Sequence, residues 1–372
     1  MSRPIRTAIV GAGKVARDSH LPALAQLARE GEVEVVAAVD VDAAAVAAVR
    51  AEAGIPHGYT DLERMLADAC PDLVVIGTPP GVHREQVTGA LRAGAWVWCE
   101  KPPVPSLADY DAILAEEGPE GGPYAAYVFQ HRFGSGAAHV RRLLAEGGIG
   151  RPLVAQCETS WYRDAAYYSV PWRGRWETEG GGPTMGLGIH QMDLLLHLLG
   201  PWREVRAIAA RLRHDVRTED VSVALLRFAG GAVATVVNSV HSPAQTSRIR
   251  VDCERATAEL THLYGYRNAD WTVTAAPEVP EAEAAAWRDF GADVPSSHLP
   301  QLRALVASFR AGRRPPASGA DGRHSLELVA AIYKSAFTGA PVLAGEIAPG
   351  DPFYTAMDGG APVLDAAPVS RG

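Results

Sequence analysis

The sequence predicts two domains, an α/β domain built on a parallel sheet followed by an α+β domain whose sheet is mainly antiparallel. Three observations carry this expectation. Over the first 123 residues, apolar runs without alternation, such as Leu73–Ile76 and Trp96–Cys99, take turns with helix-like stretches, as parallel strands buried on both faces do. Beyond that point, long strand-like runs follow one another with few helices between them, which indicates antiparallel pairing. The length of 372 residues exceeds what one core usually serves, and an apolar fraction of 47% can fill two. The expected domains are 1–123 and 124–345, with a Pro- and Gly-rich tail over 346–372.

In order, residues 6–10 read as a short strand running into Gly11-Ala12-Gly13-Lys14-Val15-Ala16 and a helix-like stretch to Leu27. This is G-x-G-x-x-A between a strand and a helix, the setting of a Rossmann dinucleotide turn. Gly11 permits the tight turn, Gly13 lets backbone approach a pyrophosphate, and Ala16 lets helix and strand pack closely. The helix start at Lys14 and Val15 offers N–H groups and a favourable dipole to the anion. The next strand, Val33–Val39, ends on Asp40, 24 residues past Ala16, near the spacing of an acid that bonds the adenosine ribose. Asp40 also suits a cap for the helix from Ala43, a role open to Asp42 as well. Both carboxylates would repel a 2′-phosphate, so NAD is expected rather than NADP.

Thr60-Asp61-Leu62-Glu63 has the form of a capping box. The strand Leu73–Ile76 ends in Gly77-Thr78-Pro79-Pro80, and His83 opens a helix to Ala93. The strand Trp96–Cys99 leads directly into Glu100-Lys101-Pro102-Pro103. The prolines cannot continue a sheet ladder, so the chain turns there with little freedom. Lys101 thus stands just past a strand's carboxyl end, where open α/β sheets bind ligands. A solvated lysine at a strand exit is the plainer alternative for that tripeptide taken alone. A last strand of this domain is expected within 124–129.

In the second half, strands are expected at 153–160, 206–213, 221–228, 232–239, 248–253, 258–262 and 271–274, with Ala229-Gly230-Gly231 as a hairpin signal. Late helices are expected over 299–311 and 325–337. The stretch from Trp161 to Trp176 carries Trp161, Tyr162, Tyr167, Tyr168, Trp172 and Trp176, with Arg163, Arg173 and Arg175 among them. It suits either a packed loop or a lid, with Tyr162, Trp172 and Arg173 offering flat faces and donors to a sugar. Gly180-Gly181-Gly182 then leads to Gly188-Ile189-His190 and a helix over 191–199 closed by Gly200. Ile189, Met192, Leu196 and Leu199 form one stripe; His190, Asp193 and His197 form another at i, i+3 and i+7. Nothing marks the further ligand that a zinc site of this geometry needs, so no metal is expected. His190 and Asp193 are expected to face substrate.

The order G-x-G-x-x-A, an acid-ended second strand, T-P-P with His83, E-K-P, then G-G-G with G-I-H-x-x-D resembles the Gfo/Idh/MocA family, which contains glucose–fructose oxidoreductase and inositol dehydrogenases. The resemblance spans roughly residues 5 to 340 and includes Asp321-Gly322-Arg323-His324-Ser325-Leu326-Glu327. It implies an amino-terminal Rossmann domain and a carboxyl-terminal α+β domain with a large open sheet, often used for oligomerisation. It implies that Thr78, Pro79 and His83 line the cofactor. Glu100, Lys101 and Pro102 match the E-K-P whose lysine moves a proton near the nicotinamide, and His190 matches the catalytic histidine. One position departs from the pattern. The family's dehydrogenases commonly carry Asp four residues before that histidine, where this chain has Gly186; Tyr162, Asp164 or His131 are candidates to fill the space.

Net charge is −8, which argues against nucleic acid or anionic membrane as the main partner. The four cysteines form no C-x-x-C pair and no secretory or long apolar segment is evident, so a reduced cytoplasmic protein is expected. The expected activity is NAD-dependent hydride transfer to or from a secondary hydroxyl or ketone carbon of a sugar, cyclitol or glycoside. A base must then lie within hydrogen-bond reach of the substrate oxygen, which Lys101 and His190 would provide. Two other readings remain at this point: a tightly NAD-bound enzyme using transient oxidation for elimination or glycosidic cleavage, and a dinucleotide-binding sensor. A homodimer or homotetramer is expected.

Overall fold

The computed structural model describes residues 3–360, so the end of the expected tail lies outside the described residues. Within the described residues the chain groups into two compact units, one holding residues up to 104 with 108–128 and 298–323, the other residues 105–107 with 129–297 and those from 324 on. The segment 298–323, far from residues 1–128 in sequence, therefore packs with the first unit.

The first unit holds a six-stranded sheet in the order β3 (His57–Tyr59), β2 (Val33–Val39), β1 (Ile5–Val10), β4 (Leu73–Ile76), β5 (Trp96–Cys99), β6 (Ala125–Tyr127), with every pair parallel. β4 and β5 are buried along their whole length, which is why their sequences do not alternate. The helix His298–Arg310 joins this unit through its apolar face. Leu302, Leu305 and Val306 enter the same cluster as Ile5, Ile9, Leu24, Leu27, Trp96 and Trp98. Burying each of these larger side chains contributes roughly 1.5–3 kcal/mol. Arg303 bonds Glu30 through both nitrogens at 2.6 Å, and Gln301 donates to the Tyr127 carbonyl at 2.6 Å. Asp61, rather than Thr60, caps the helix Leu62–Ala69, accepting from Arg64 N.

The second unit is built on an eight-stranded sheet in the order β13 (Trp271–Ala275), β12 (Ala256–His262), β11 (His241–Cys253), β7 (Pro152–Tyr162), β10 (Val233–Ser239), β9 (Val221–Phe228), β8 (Trp202–Ala210), β14 (Val342–Leu343). All pairs are antiparallel except β7 with β10. The β9–β10 hairpin forms where Gly230-Gly231 signals it, with Val233 opposite Arg227. One face of the sheet takes the helix Ile189–Leu199, which packs on β7 and β11. The alternation of β9 leaves Val223 and Leu225 exposed on the other face, beside exposed Val154 and Val233. Among the described residues no helix is long and apolar enough to cross a membrane, and all four cysteines are free thiols.

Candidate active site

In the first unit the strand order reverses between β1 and β4, so the crevice outside their carboxyl ends is where a doubly wound sheet binds its ligand. Four segments leave the sheet along that edge: Gly11 after β1, Asp40 after β2, Gly77-Thr78 after β4 and Glu100-Lys101 after β5. Gly11 has φ +94°, and a Cβ there would lie 2.9 Å from the Gly77 carbonyl carbon. No other residue type fits that approach. Gly13 is exposed with nothing within 4 Å of its Cβ position, so the turn is open to a pyrophosphate. Ala16 is fully buried. The helix expected to run unbroken to Leu27 instead carries a π-turn over Ala16–His20 before Leu21–Arg29, and this turns the His20 ring inward against Gly77.

Asp40 Oδ2 accepts from Ala12 N at 2.7 Å and Oδ1 from Asp42 N at 3.0 Å. The helix cap is Asp42, which accepts from Ala44 N, so Asp40 is left to hold the glycine turn against the end of β2. The open glycine turn and this carboxylate fit a dinucleotide. Lys14 is 90% exposed and pairs with Asp18, while Val15 turns its side chain to Gly77.

The Lys101 turn is held from within. Glu100 is buried, and its Oε1 lies 3.1 Å from both His20 Nε2 and His298 Nε2. Burial alone would raise this carboxyl, but the two imidazoles overcome it and hold Glu100 well below the usual carboxylate range. Glu100 Oε2 accepts the Lys101 N–H at 3.2 Å. Among the described residues these three side chains form the group whose ligand atoms lie close enough to suit a metal ion. His298 Nε2 hydrogen-bonds Glu100 Oε1, while His20 Nε2 lies at the same 3.1 Å without hydrogen-bond geometry. The Lys101–Pro102 peptide is cis.

His83, expected beside the cofactor, is fully buried. Its Nδ1 lies 3.1 Å from the carbonyls of both Pro102 and Pro103, and its Nε2 lies 2.8 Å from the Thr78 carbonyl. The ring therefore ties the loop after β4 to the loop after β5. Burial pushes its pKa down against the pull of the three carbonyls. The Thr78 hydroxyl donates to Gln86 at 2.6 Å, and Pro79 opens the short turn Pro80–Val82. Glu100 and His83 thus act on Lys101 and Thr78 from inside the fold, a role different from the cofactor contact expected of them. Burial decides this, because neither side chain reaches the surface.

In the second unit, the helix Ile189–Leu199 follows a π-turn over Thr184–Gly188. The turn passes so close to β10 that a Cβ on Gly188 would overlap Asn238 Oδ1 at 1.8 Å. Beneath it, Glu219 is fully buried and accepts from Gly182 N, Thr184 N and the Tyr333 hydroxyl. Burial outweighs these donors and raises its pKa to about 7. Nearly the whole helix is buried, so the expected division into an apolar and a polar stripe does not hold; His197 is half-buried near Arg141.

His190 is buried among rings: His131 at 5.0 Å and Tyr264 at 5.7 Å between centroids. His131, one of the residues considered for the space at Gly186, is thus beside it. His262 and Tyr266 complete the nest around His131. Gln191 donates to His262 Nε2 at 2.5 Å, and burial lowers the His262 pKa to about 4, so this imidazole is a neutral acceptor at pH 7. His262 and Tyr264 were not legible as site residues, because they lie at the end of β12 without any local motif.

Asp193, expected to face substrate, is turned inward. It is fully buried, its two oxygens accept from Arg132 Nε and Nη2 at 2.6 and 2.5 Å, and Ser325 Oγ adds a third bond at 2.7 Å. One helical turn beyond His190, the carboxylate points into the packing, where it neutralises Arg132. The aromatic stretch folds as two single-turn helices, Ala165–Tyr168 and Trp176–Glu179. Arg173 lies over the rings of Tyr167 at 3.9 Å and Trp172 at 4.3 Å and pairs with Glu179 Oε1 at 3.1 Å. Its donors are therefore engaged within the segment, while Tyr162 and Trp172 remain half-buried. Glu179, which no motif marked, lies beside Gly186: its Oε1 would be 3.5 Å from a Cβ at that position.

Both halves of the chain match models of known protein families. Residues 5–125 match the family model described as an oxidoreductase family with an NAD-binding Rossmann fold, and residues 137–259 match the GFO/IDH/MocA C-terminal domain. The chain is 25% identical over 366 residues to D-glucoside 3-dehydrogenase of Escherichia coli K12, covering 92% of this chain and 98% of that protein. It is 29% identical to D-apiose dehydrogenase of Paraburkholderia graminis, covering 95% and 93%. Among solved structures, the WlbA dehydrogenase from Bordetella pertussis in complex with NADH and UDP-GlcNAcA superposes with a TM-score of 0.81 at 26% identity, covering 92% of this chain and 98% of that one.

Proposed function

Because this chain belongs to the Gfo/Idh/MocA oxidoreductase family and is an NAD-binding oxidoreductase of its sugar and cyclitol dehydrogenases, we propose that it oxidises a secondary hydroxyl carbon of a sugar, cyclitol or glycoside, or reduces the matching ketone, with Lys101 and His190 handling the proton. The observation that carries this reading is the hold on Lys101. The lysine leaves the carboxyl end of β5, next to the β1/β4 switch point, with Glu100 bonded to its backbone and His83 Nδ1 packed 3.1 Å from the carbonyls of the next two residues.

When bound, the nicotinamide ring supplies the hydride acceptor or donor. The glycine turn at Gly11 and Gly13 and the Asp40 carboxylate hold the dinucleotide's pyrophosphate and ribose, and Asp40 disfavours a 2′-phosphate. Lys101 takes the hydroxyl proton in oxidation and returns it in reduction. His190, buried among His131 and Tyr264, shares that proton path. We further propose that chains associate through the open face of the eight-stranded sheet, where Val154, Val223, Leu225 and Val233 are exposed. Four free thiols support a reducing, cytoplasmic setting.

The test is turnover of Lys101→Ala on a panel of D-glucosides, pentoses and cyclitols with NAD. Loss of about 10²–10⁴-fold is expected, the usual contribution of a positioned acid or base, with NADH affinity nearly unchanged. Near-normal turnover by Lys101→Ala would remove the lysine from the mechanism. Product formed without net NADH, but lost when NAD is stripped, would redirect the reading to transient oxidation.

A further inference from the structure

A row of rings leads away from His190 along one end of the eight-stranded sheet. Thr159 of β7, Ser247 of β11 and His262 of β12 stand opposite one another, so Trp161 and Tyr264, each two residues further on, lie at the same end of the sheet. The Tyr264 ring is 5.7 Å from that of His190, at 84° to it, and 6.2 Å from that of Trp161. Tyr264 is 42% exposed and Trp161 is half-buried, so both rings reach the surface. The Trp161 ring is fixed in place. Its Nε1 donates to Ser247 Oγ at 2.9 Å, and Ser247 Oγ donates to the Leu263 carbonyl at 2.7 Å, just before Tyr264.

Arg163 closes the row. Its guanidinium lies over the rings of Trp161 at 4.8 Å and Tyr167 at 5.1 Å. Its side-chain hydrogen bonds leave from one nitrogen, Nη1, to the Tyr162 carbonyl at 2.7 Å and Gln245 Oε1 at 3.3 Å. The Tyr167 hydroxyl, which Arg173 also bonds, is a further and weaker contact. Arg173 meets the Glu179 carboxylate, but among the described residues no carboxylate lies within ion-pair distance of Arg163. The next residue, Asp164, is turned to the backbone and accepts from Tyr167 N at 3.0 Å. The Nε–Nη2 edge of Arg163 is the fork that takes a carboxylate or phosphate through two parallel bonds.

We propose that Arg163, with the Trp161 and Tyr264 rings, forms a subsite for an anionic substituent of the substrate, a carboxylate or phosphate carried by the sugar. The proposal deepens the dehydrogenase reading and rests on it for the place of the reacting carbon. A sugar lying along Tyr264 and Trp161 packs its C–H face on the rings, with the reacting carbon at the His190 end and the charge at the Arg163 end. Stacking between two rings removes part of the water around the guanidinium, which strengthens its pull on an anion. In a chain of net charge −8, an arginine held in this way without a carboxylate partner favours the charged form of a sugar over its neutral counterpart.

The experiment measures binding of methyl β-D-glucuronide, glucose 6-phosphate and methyl β-D-glucoside to the full-length protein loaded with NADH, by calorimetric titration. At least one charged sugar should bind roughly 10- to 100-fold more tightly than the neutral one, the worth of hydrogen bonds between charged groups. Which of the two it is separates a carboxylate from a phosphate subsite. Arg163→Gln should abolish the preference, and Arg163→Lys, which keeps the charge but not the fork, should recover part of it; thermal unfolding shows whether each variant is folded. A wild type without charge preference across the set overturns the proposal, as does a preference that survives in Arg163→Gln. The two readings fail separately. If Lys101→Ala keeps near-normal turnover while the Arg163-dependent preference holds, the proton role of Lys101 fails and the subsite stands; if Lys101→Ala is inactive and the preference is absent, the subsite alone is wrong.

Discussion

Replacing Asp193 by Asn should destabilise the second unit rather than weaken substrate binding. Arg132 and Asp193 have side chains 4% and 0% exposed, and the guanidinium meets the carboxylate through two bonds of 2.6 and 2.5 Å. Asn removes the charge and one of the two acceptors that meet the buried Arg132 cation. Breaking such a pair from one side costs about 3–5 kcal/mol. Weakening the Ser325 bond adds up to about 1 kcal/mol. For a unit of this size, each kcal/mol lowers Tm by roughly 2–4 °C, so a fall of about 10 °C is expected. Thermal unfolding of wild type, Asp193→Asn and Arg132→Met/Asp193→Leu measures it. The last variant should recover part of the loss, because an apolar pair of similar volume leaves no buried charge. If Asp193→Asn unfolds within about 1 °C of wild type and instead raises KM for the sugar, the carboxylate faces substrate and the packing argument is wrong.

Three other expectations concern different parts of the chain. Asp40→Ser should lower NADH affinity by roughly 10-fold or more, the loss of charge-assisted hydrogen bonds, and narrow the preference over NADPH; equal affinities in the unmodified protein, by fluorescence titration, would contradict the role given to Asp40. The buried Glu219 carboxyl, raised to about 7 from 4.5, binds its proton more tightly in the folded state. Its contribution is therefore fully present below pH 4.5 and is lost as pH rises toward 7, about 3 kcal/mol in all; urea unfolding at pH 5 to 8 should show that slope in wild type and a flatter one in Glu219→Gln. Finally, light scattering should find an oligomer that Leu225→Glu with Val233→Glu dissociates, and a monomeric wild type at micromolar concentration would count against the sheet-face association.

Much of the architecture was legible locally. The parallel sheet follows from apolar runs such as Leu73–Ile76 and Trp96–Cys99, which need cover on both faces. The dinucleotide turn follows from glycines whose spacing answers a backbone requirement, and Gly11 at φ +94° meets it. Lys101 could be picked out because a strand end and two prolines bracket it in sequence. The helix 298–310 was also visible, but not that it completes the first core, since its apolar face says only that it must pack, not on what.

The roles inside the site were decided by tertiary structure. Glu100, His83 and Asp193 carry the right chemistry at the right positions in the chain, yet each is turned inward and bonded to groups far away in sequence, such as His298 or Ser325. Glu179 lies beside Gly186 only because a single-turn helix brings it there. A one-dimensional pattern records spacing along one strand or helix. Whether a polar side chain meets water, substrate or a buried partner depends on what the other elements place against it, and the energetic cost of leaving a buried charge unpaired makes that placement decisive.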